Sequence, residues 1–170
     1  RTTSSAASDV YKRQVWTFST GGPIRFAPAI DKASCFFASD DGFLYCLDLK
    51  TGELKWKFRG GPNDRMVIGN GRLISRWPLR SGVLVQDGVV YFSAGIWPSE
   101  GVFVHALEAE TGKVVWTNDT CGLQYVDTAH TPASALGGVA PQGYLVASQG
   151  VLLVPTGRST PAGFDIATGK

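Results

Sequence analysis

The sequence predicts an all-β chain built from four-stranded antiparallel sheets that follow one another along the molecule. Three observations carry that prediction. One turn motif occurs three times at similar spacing. Short segments alternating between apolar and polar residues flank each copy, the pattern of half-buried strands. The composition is rich in turn formers and aromatics, with 21 Gly, 5 Trp, 5 Tyr and 9 Phe among 170 residues, as many short strands joined by tight turns require.

The repeat is read first because it organises everything else. Cys46-Leu47-Asp48-Leu49-Lys50-Thr51-Gly52-Glu53-Leu54-Lys55-Trp56 aligns with Ala106-Leu107-Glu108-Ala109-Glu110-Thr111-Gly112-Lys113-Val114-Val115-Trp116, and the chain ends within Gly163-Phe164-Asp165-Ile166-Ala167-Thr168-Gly169-Lys170. The Thr-Gly pairs begin at 51, 111 and 168, steps of 60 and 57 residues. Trp16, followed by Phe18 as Phe58 follows Trp56, reads as the end of an earlier copy. An acid three residues before Thr can accept hydrogen bonds from turn amides, and the Gly can take the positive φ of a three- to five-residue hairpin loop. Asp48, Thr51 and Gly52, then Glu108, Thr111 and Gly112, then Asp165, Thr168 and Gly169 therefore mark one hairpin each.

Strands are expected on both sides of each turn. In the first copy they are 24–30, 36–38, 43–47 and 54–58, with Ser39-Asp40-Asp41-Gly42 as a second hairpin signal. The second copy supplies 82–85, 89–93, 102–107 and 114–118, and the third 144–147, 151–154 and 162–165. Residues 60–80, 95–101 and 119–141 carry the extra length as Pro- and Gly-containing loops. Four-stranded sheets repeated every 40 to 60 residues are the signature of β-propeller blades, about four to eight of which close a ring. The expected organisation is a trailing strand at 15–20, blades at 22–60 and 80–119, and an incomplete blade at 141–170. The chain thus reads as a truncated partial propeller. A complete two-sheet sandwich is the alternative, disfavoured by a chain that stops inside its own repeated hairpin.

Composition excludes several functions. With 44% hydrophobic and 18% charged residues the chain is no disordered polymer. Sixteen Lys and Arg against 14 Asp and Glu give a net charge of +2 without a basic block, so no nucleic-acid footprint is present. Apolar runs such as 151–154 are far too short to span a bilayer. Residues 1–14 are polar and patternless, read as a disordered or artefactual tail whose stretch 9–14 resembles translated adapter sequence, and not as a secretory signal.

The pattern of acid, two residues, Thr-Gly, three residues and Trp, over 15–170, resembles the pyrroloquinoline quinone-like β-propeller repeat. That superfamily includes quinoprotein alcohol and sugar dehydrogenases and the propeller lipoprotein of the outer-membrane assembly machinery. Val89-Val90-Tyr91-Phe92-Ser93-Ala94-Gly95 before the second Thr-Gly turn also looks like large uncharacterised bacterial members. The resemblance implies that Trp16, Trp56 and Trp116 dock against the neighbouring blade, with stacking on a cofactor as the alternative role. It implies a periplasmic or otherwise extracytoplasmic bacterial protein, whose partners are the remaining blades of the same chain and a protein or small molecule at the loop face. The expected role is a binding or scaffold module. The alternatives are a blade set from a dehydrogenase using pyrroloquinoline quinone and calcium, or an assembly factor.

Chemistry is sparse in the sequence. The dehydrogenases of this superfamily carry adjacent cysteines, a bound calcium or lanthanide and a catalytic Asp, whereas Cys35, Cys46 and Cys121 are never adjacent. His105 and His130 stand apart from any ligand cluster. No catalytic, cofactor or metal residue is assigned. Cys35 and Cys46 are equidistant from a four-residue loop at 39–42, which allows a cross-strand disulfide or, alternatively, two buried thiols. Arg25, Arg80 and either Pro141 or Gln142 precede the small residues Ala27, Gly82 and Gly143 by similar spacing. The two arginines are candidates for the channel mouth, where they would meet an anion or pair with acids of other blades. Arg76 beside Trp77, Trp97 beside Pro98, and Arg158 are the remaining loop candidates.

Overall fold

The computed structural model of the chain describes residues 15–69, 71–127, 134–157 and 160–170. The first blade consists of β1 (Ala29–Asp31), β2 (Ser34–Ala38), β3 (Phe43–Asp48) and β4 (Leu54–Arg59), antiparallel in sequence order. An insertion follows that forms its own hairpin, β5 (Met66–Gly69) with β6 (Arg72–Ser75). After β7 (Ser81–Gly82) comes the second blade: β8 (Leu84–Gln86), β9 (Val89–Ala94), β10 (Phe103–Glu108) and β11 (Val114–Asn118). A second inserted hairpin pairs β12 (Tyr125–Asp127) with β13 (Ser134–Leu136), and β14 (Gly143–Tyr144) leads into the three-stranded sheet of β15 (Val146–Ser148), β16 (Val151–Val154) and β17 (Ala162–Asp165). No α-helix occurs among the described residues, and none of their helices could cross a membrane.

The middle strands of the first two blades are buried on both faces because each sheet lies between neighbours, whereas β16 buries Leu152 and Val154 and exposes Val151 and Leu153. On β2, Phe36 and Ala38 join Leu44, Cys46 and the second blade's Val90, Phe92 and Leu107 in one cluster. Cys35 and Phe37 point the other way, to Tyr45, Leu47 and the segment holding Trp16 and Phe18. A third cluster joins Tyr91, Val104, Ala106 and Trp116 to Leu152, Val154 and Phe164 of the last sheet. The core is thus a series of seams between sheets, where burial of apolar area supplies the driving force.

The repeated tryptophan closes every seam identically. Trp16 Nε1 donates to Leu49 O at 3.0 Å, Trp56 Nε1 to Ala109 O at 3.1 Å and Trp116 Nε1 to Ile166 O at 3.0 Å. Each acceptor follows the turn acid of the next copy. Each indole also lies against the Gly of that turn: a Cβ on Gly52, Gly112 or Gly169 would sit 2.6, 2.8 or 2.4 Å from the ring. These glycines have φ of 74°, 71° and 71°, so both backbone conformation and the neighbour's ring require Gly. The turn acids differ. Asp48 Oδ1 accepts from the amides of Lys50 and Thr51, both at 2.9 Å, and Asp165 Oδ1 from those of Ala167 and Thr168 at 3.2 and 2.8 Å. These bonds stabilise the carboxylates and lower their pKa values, with the Thr51 amide the main cause at Asp48 and the Thr168 hydroxyl at Asp165. Glu108, one methylene longer, instead accepts from the Thr111 hydroxyl at 2.6 Å.

Two sequence expectations are corrected. The 39–42 hairpin is offset by one residue: Ala38 pairs with Leu44, and Ser39 N donates to Phe43 O, enclosing Asp40, Asp41 and Gly42. Cys35 is therefore opposite Leu47 and Cys46 opposite Phe36, so the cysteines occupy different seams. A one-residue slip exchanges faces, and no disulfide joins them. Innermost strands are also interrupted. The expected strand 24–30 is β1 plus a bridge from Ile24 to Ser39, and 82–85 is divided between β7 and β8. The division lets Ser81 and Gly82 pair in parallel with Gly143 and Tyr144 of the next blade. Gly82 is needed there, because a Cβ would stand 2.2 Å from the Tyr144 ring.

His105 is buried in the seam between the first two blades. Gly60 O, 2.9 Å from Nε2, can only accept, so Nε2 carries the hydrogen and Nδ1 accepts from Thr117 Oγ1 at 2.9 Å. The ring stacks on Phe92 at 4.9 Å between centroids. Burial pulls its pKa down to about 4.

Trp56→Ala is expected to cost about 3 to 5 kcal/mol, from lost aromatic packing and an orphaned carbonyl at Ala109; denaturant melts of the complete ring check this, and a loss below about 1 kcal/mol would contradict the seam role. Because the unfolded histidine titrates near 6.5 and the folded one near 4, the unfolded state binds the extra proton between those pH values. The contribution of His105 to stability should therefore be flat above pH 7 and fall by about 3 kcal/mol as pH drops through that window. His105→Gln should flatten that slope in melts recorded at successive pH values.

Candidate ligand-binding face

The antiparallel order places the β2–β3 loop and the connections between blades on one face, and the Thr-Gly turns on the other. Both inserted hairpins therefore emerge on the face that carries residues 39–42. A repeated hydrogen bond marks equivalent positions where the inner strands begin: Asp40 N to Pro23 O at 2.9 Å, Gly95 N to Pro78 O at 3.1 Å and Gly157 N to Ala140 O at 3.3 Å. Two residues beyond each acceptor stand Arg25, Arg80 and Gln142, so the geometry selects Gln142 over Pro141.

Arg25 and Arg80 converge on one carboxylate. Arg25 reaches Asp40 Oδ2 through Nε and Nη2, both at 2.7 Å. Arg80 Nε donates to Oδ1 at 3.1 Å and Nη2 to Oδ2 at 3.2 Å, a two-pronged contact from the next blade. The Asp40 side chain is 0% exposed, against 37% for Arg25 and 18% for Arg80. Two guanidinium groups share this one acid, so Asp40 can cancel only one of their two positive charges. Its neighbour Asp41 has a different task, accepting from the amides of Gly21 and Phe43 and the Tyr45 hydroxyl to shape the turn. Nothing in the Asp40-Asp41-Gly42 string distinguished these two roles. Beside the arginines, Tyr144 from the third blade meets Phe26 edge-on at 5.1 Å, and its hydroxyl accepts from Ala27 N at 3.2 Å. Tyr144 had no sequence signal beyond its place in a strand.

The loop candidates separate. Arg76 pairs with Glu100 and lies 5.8 Å from the Trp77 ring, while Trp77 Nε1 anchors to Glu100 O at 2.6 Å. Trp77 is buried, whereas Trp97 is 38% exposed. Trp97 and Arg76 share a cleft with Val67, Ile68, Ser99 and Glu100. Arg158 and His130 lie outside the described residues.

No known family profile matches the chain. Polyvinylalcohol dehydrogenase of Sphingopyxis sp. (strain 113P3) is 29% identical over 167 residues, covering 91% of the chain, which spans only 24% of that protein's length. Quinohemoprotein alcohol dehydrogenase from Comamonas testosteroni superposes with a TM-score of 0.59 at 16% identity, over 88% of this chain and 20% of its own. BamB from Moraxella catarrhalis superposes with a TM-score of 0.53 at 19% identity, over 84% of this chain and 37% of its own. The fold is that of part of a β-propeller, as in these proteins.

Pyrroloquinoline quinone and calcium, which this propeller type suggests, find no complete seat here. Among the described residues no three His, Cys, Asp or Glu side chains stand together as a metal site. Asp40 has both oxygens engaged by arginine. Cys35 and Cys46 lie in separate seams and Cys121 in a third position, each thiol's pKa raised chiefly by burial, that of Cys121 to about 11. The described residues of these blades do not fit the metal.

Asp40→Asn should cost about 2 kcal/mol or more, since it leaves two converging guanidinium groups without their counter-charge, partly relieved by solvent at Arg25. The check is a denaturant melt of Asp40→Asn beside the double variant Asp40→Asn/Arg80→Met, which should recover part of the loss.

Proposed function

We propose that these blades form a binding module within a larger bacterial extracytoplasmic propeller, and that the channel mouth at Arg25 and Arg80 takes a small molecule bearing a carboxylate. The observation that carries the reading is the unequal charge at Asp40: a buried acid orients two guanidinium groups and cancels only one of them. A guanidinium presents a planar fork suited to a carboxylate, and pre-orientation by Asp40 lowers the ordering cost of binding. The Phe26–Tyr144 pair adds an apolar wall next to the cationic one. Small-molecule sites commonly combine such walls with a few convergent polar groups.

One observation favours a second reading, the 29% identity to a polyvinylalcohol dehydrogenase along nearly the whole chain. In that reading the bound carboxylate belongs to a quinone cofactor, and other blades supply the metal and the catalytic groups.

Calorimetry on the protein encoded by the complete reading frame tests both. Citrate or pyrroloquinoline quinone should bind with an affinity that falls as salt rises, and Arg80→Met should weaken it about tenfold; absence of binding by either probe would overturn the mouth assignment. Adding the quinone, calcium, a primary alcohol and a dye acceptor separates the readings, cofactor-dependent turnover favouring the dehydrogenase and binding without turnover the module.

A further inference from the structure

The hairpin β5–β6 and the short turn at Pro98–Glu100 build a cleft of about 450 Å³ lined by Val67, Ile68, Arg76, Trp97, Ser99 and Glu100. One wall is the Trp97 indole, 38% exposed and, among the described residues, without a hydrogen bond or ring contact. The lining also carries Ile68, 81% exposed. Arg76, Glu100 and Ser99 add a guanidinium, a carboxylate and a hydroxyl. The first two are anchored by the buried Trp77, which donates to Glu100 O and lies against Arg76.

We propose that this cleft binds a neutral, polyhydroxylated chain. Charge selects the class. Arg76 and Glu100 are paired, so the cleft has no net charge to reward an ionic ligand, and an anion or cation would have to displace one partner of the pair. Each group nevertheless keeps unused capacity, since a guanidinium has five donor hydrogens and a carboxylate about four acceptor sites. Donor and acceptor side by side match a hydroxyl, which gives and receives at once. The exposed indole offers a flat apolar surface for the C–H face of the same chain, with its N–H free for a further hydroxyl. A backbone hydrogen bond from Ser75 N to Asp40 O at 2.8 Å ties the strand leading into Arg76 to the turn that holds Asp40.

The test is calorimetry of the complete protein with maltohexaose and with a vinyl alcohol oligomer as separate probes, in wild type, Trp97→Ala and Ile68→Arg. Binding of at least one probe, weakened tenfold or more by Trp97→Ala and also reduced by Ile68→Arg, supports the assignment, with unchanged thermal melts showing that both variants fold. Equal binding in wild type and both variants, or binding of neither probe, overturns it. So does preferential capture of an extended neutral peptide over both probes. Citrate titrated into Trp97→Ala serves as the separating control: its binding should match wild type, so failure at the mouth and failure in the cleft are read independently.

Discussion

An indole N–H from one blade reaches the backbone carbonyl that follows the next blade's turn acid, and its ring covers the glycine of that turn. The contact couples two requirements. The turn must be tight and left-handed at its Gly, and the preceding blade must present a Trp on its last strand. Neither sheet has a closed core alone. Strands such as β2 and β9 are apolar on both faces and become soluble only between neighbours. The Trp bond sets the distance and angle at which those faces meet, so the position of every loop on the opposite face follows from it.

On that opposite face the repeat is modified instead of copied. Position 40 is Asp, while its equivalents 95 and 157 are Gly; positions 25 and 80 are Arg, while 142 is Gln. A charge buried without partners would be prohibitive, and Asp40 is tolerated because two blades contribute guanidinium groups to it. The same arrangement ties the first blade to the second at the inner edge, as Trp56 ties them at the outer edge. His105 adds a third tie midway through its bonds to Gly60 and Thr117. Residues that break the repeat, not those that maintain it, therefore give this face its individual chemistry.

Much of the architecture was legible in local pattern. Thr51-Gly52, Thr111-Gly112 and Thr168-Gly169 declare hairpins because their φ requirement and acid partner lie within a few residues. The spacing of Trp56 and Trp116 from those turns assigns them to the strand that follows each hairpin. The offset at 39–43 was not legible, since a loop of three residues and one of four have the same composition, and the difference moved Cys35 and Cys46 into separate seams. The hairpin β5–β6 was hidden in a stretch read as loop, where Met66 to Ile68 and Leu73 to Ile74 are too short for periodicity to register.

The sequence by itself determined the repeating unit, its three turns and the residues at its seams, because hairpins and alternation are governed by neighbours in the chain. Only the tertiary structure decided that Arg25 and Arg80 share Asp40, that Tyr144 crosses over Gly82 to Ala27, and that Arg76 and Trp97 face one cleft. Those residues are separated by 15 to 117 positions. Their meeting depends on how whole blades stack, a long-range geometry to which no local propensity corresponds.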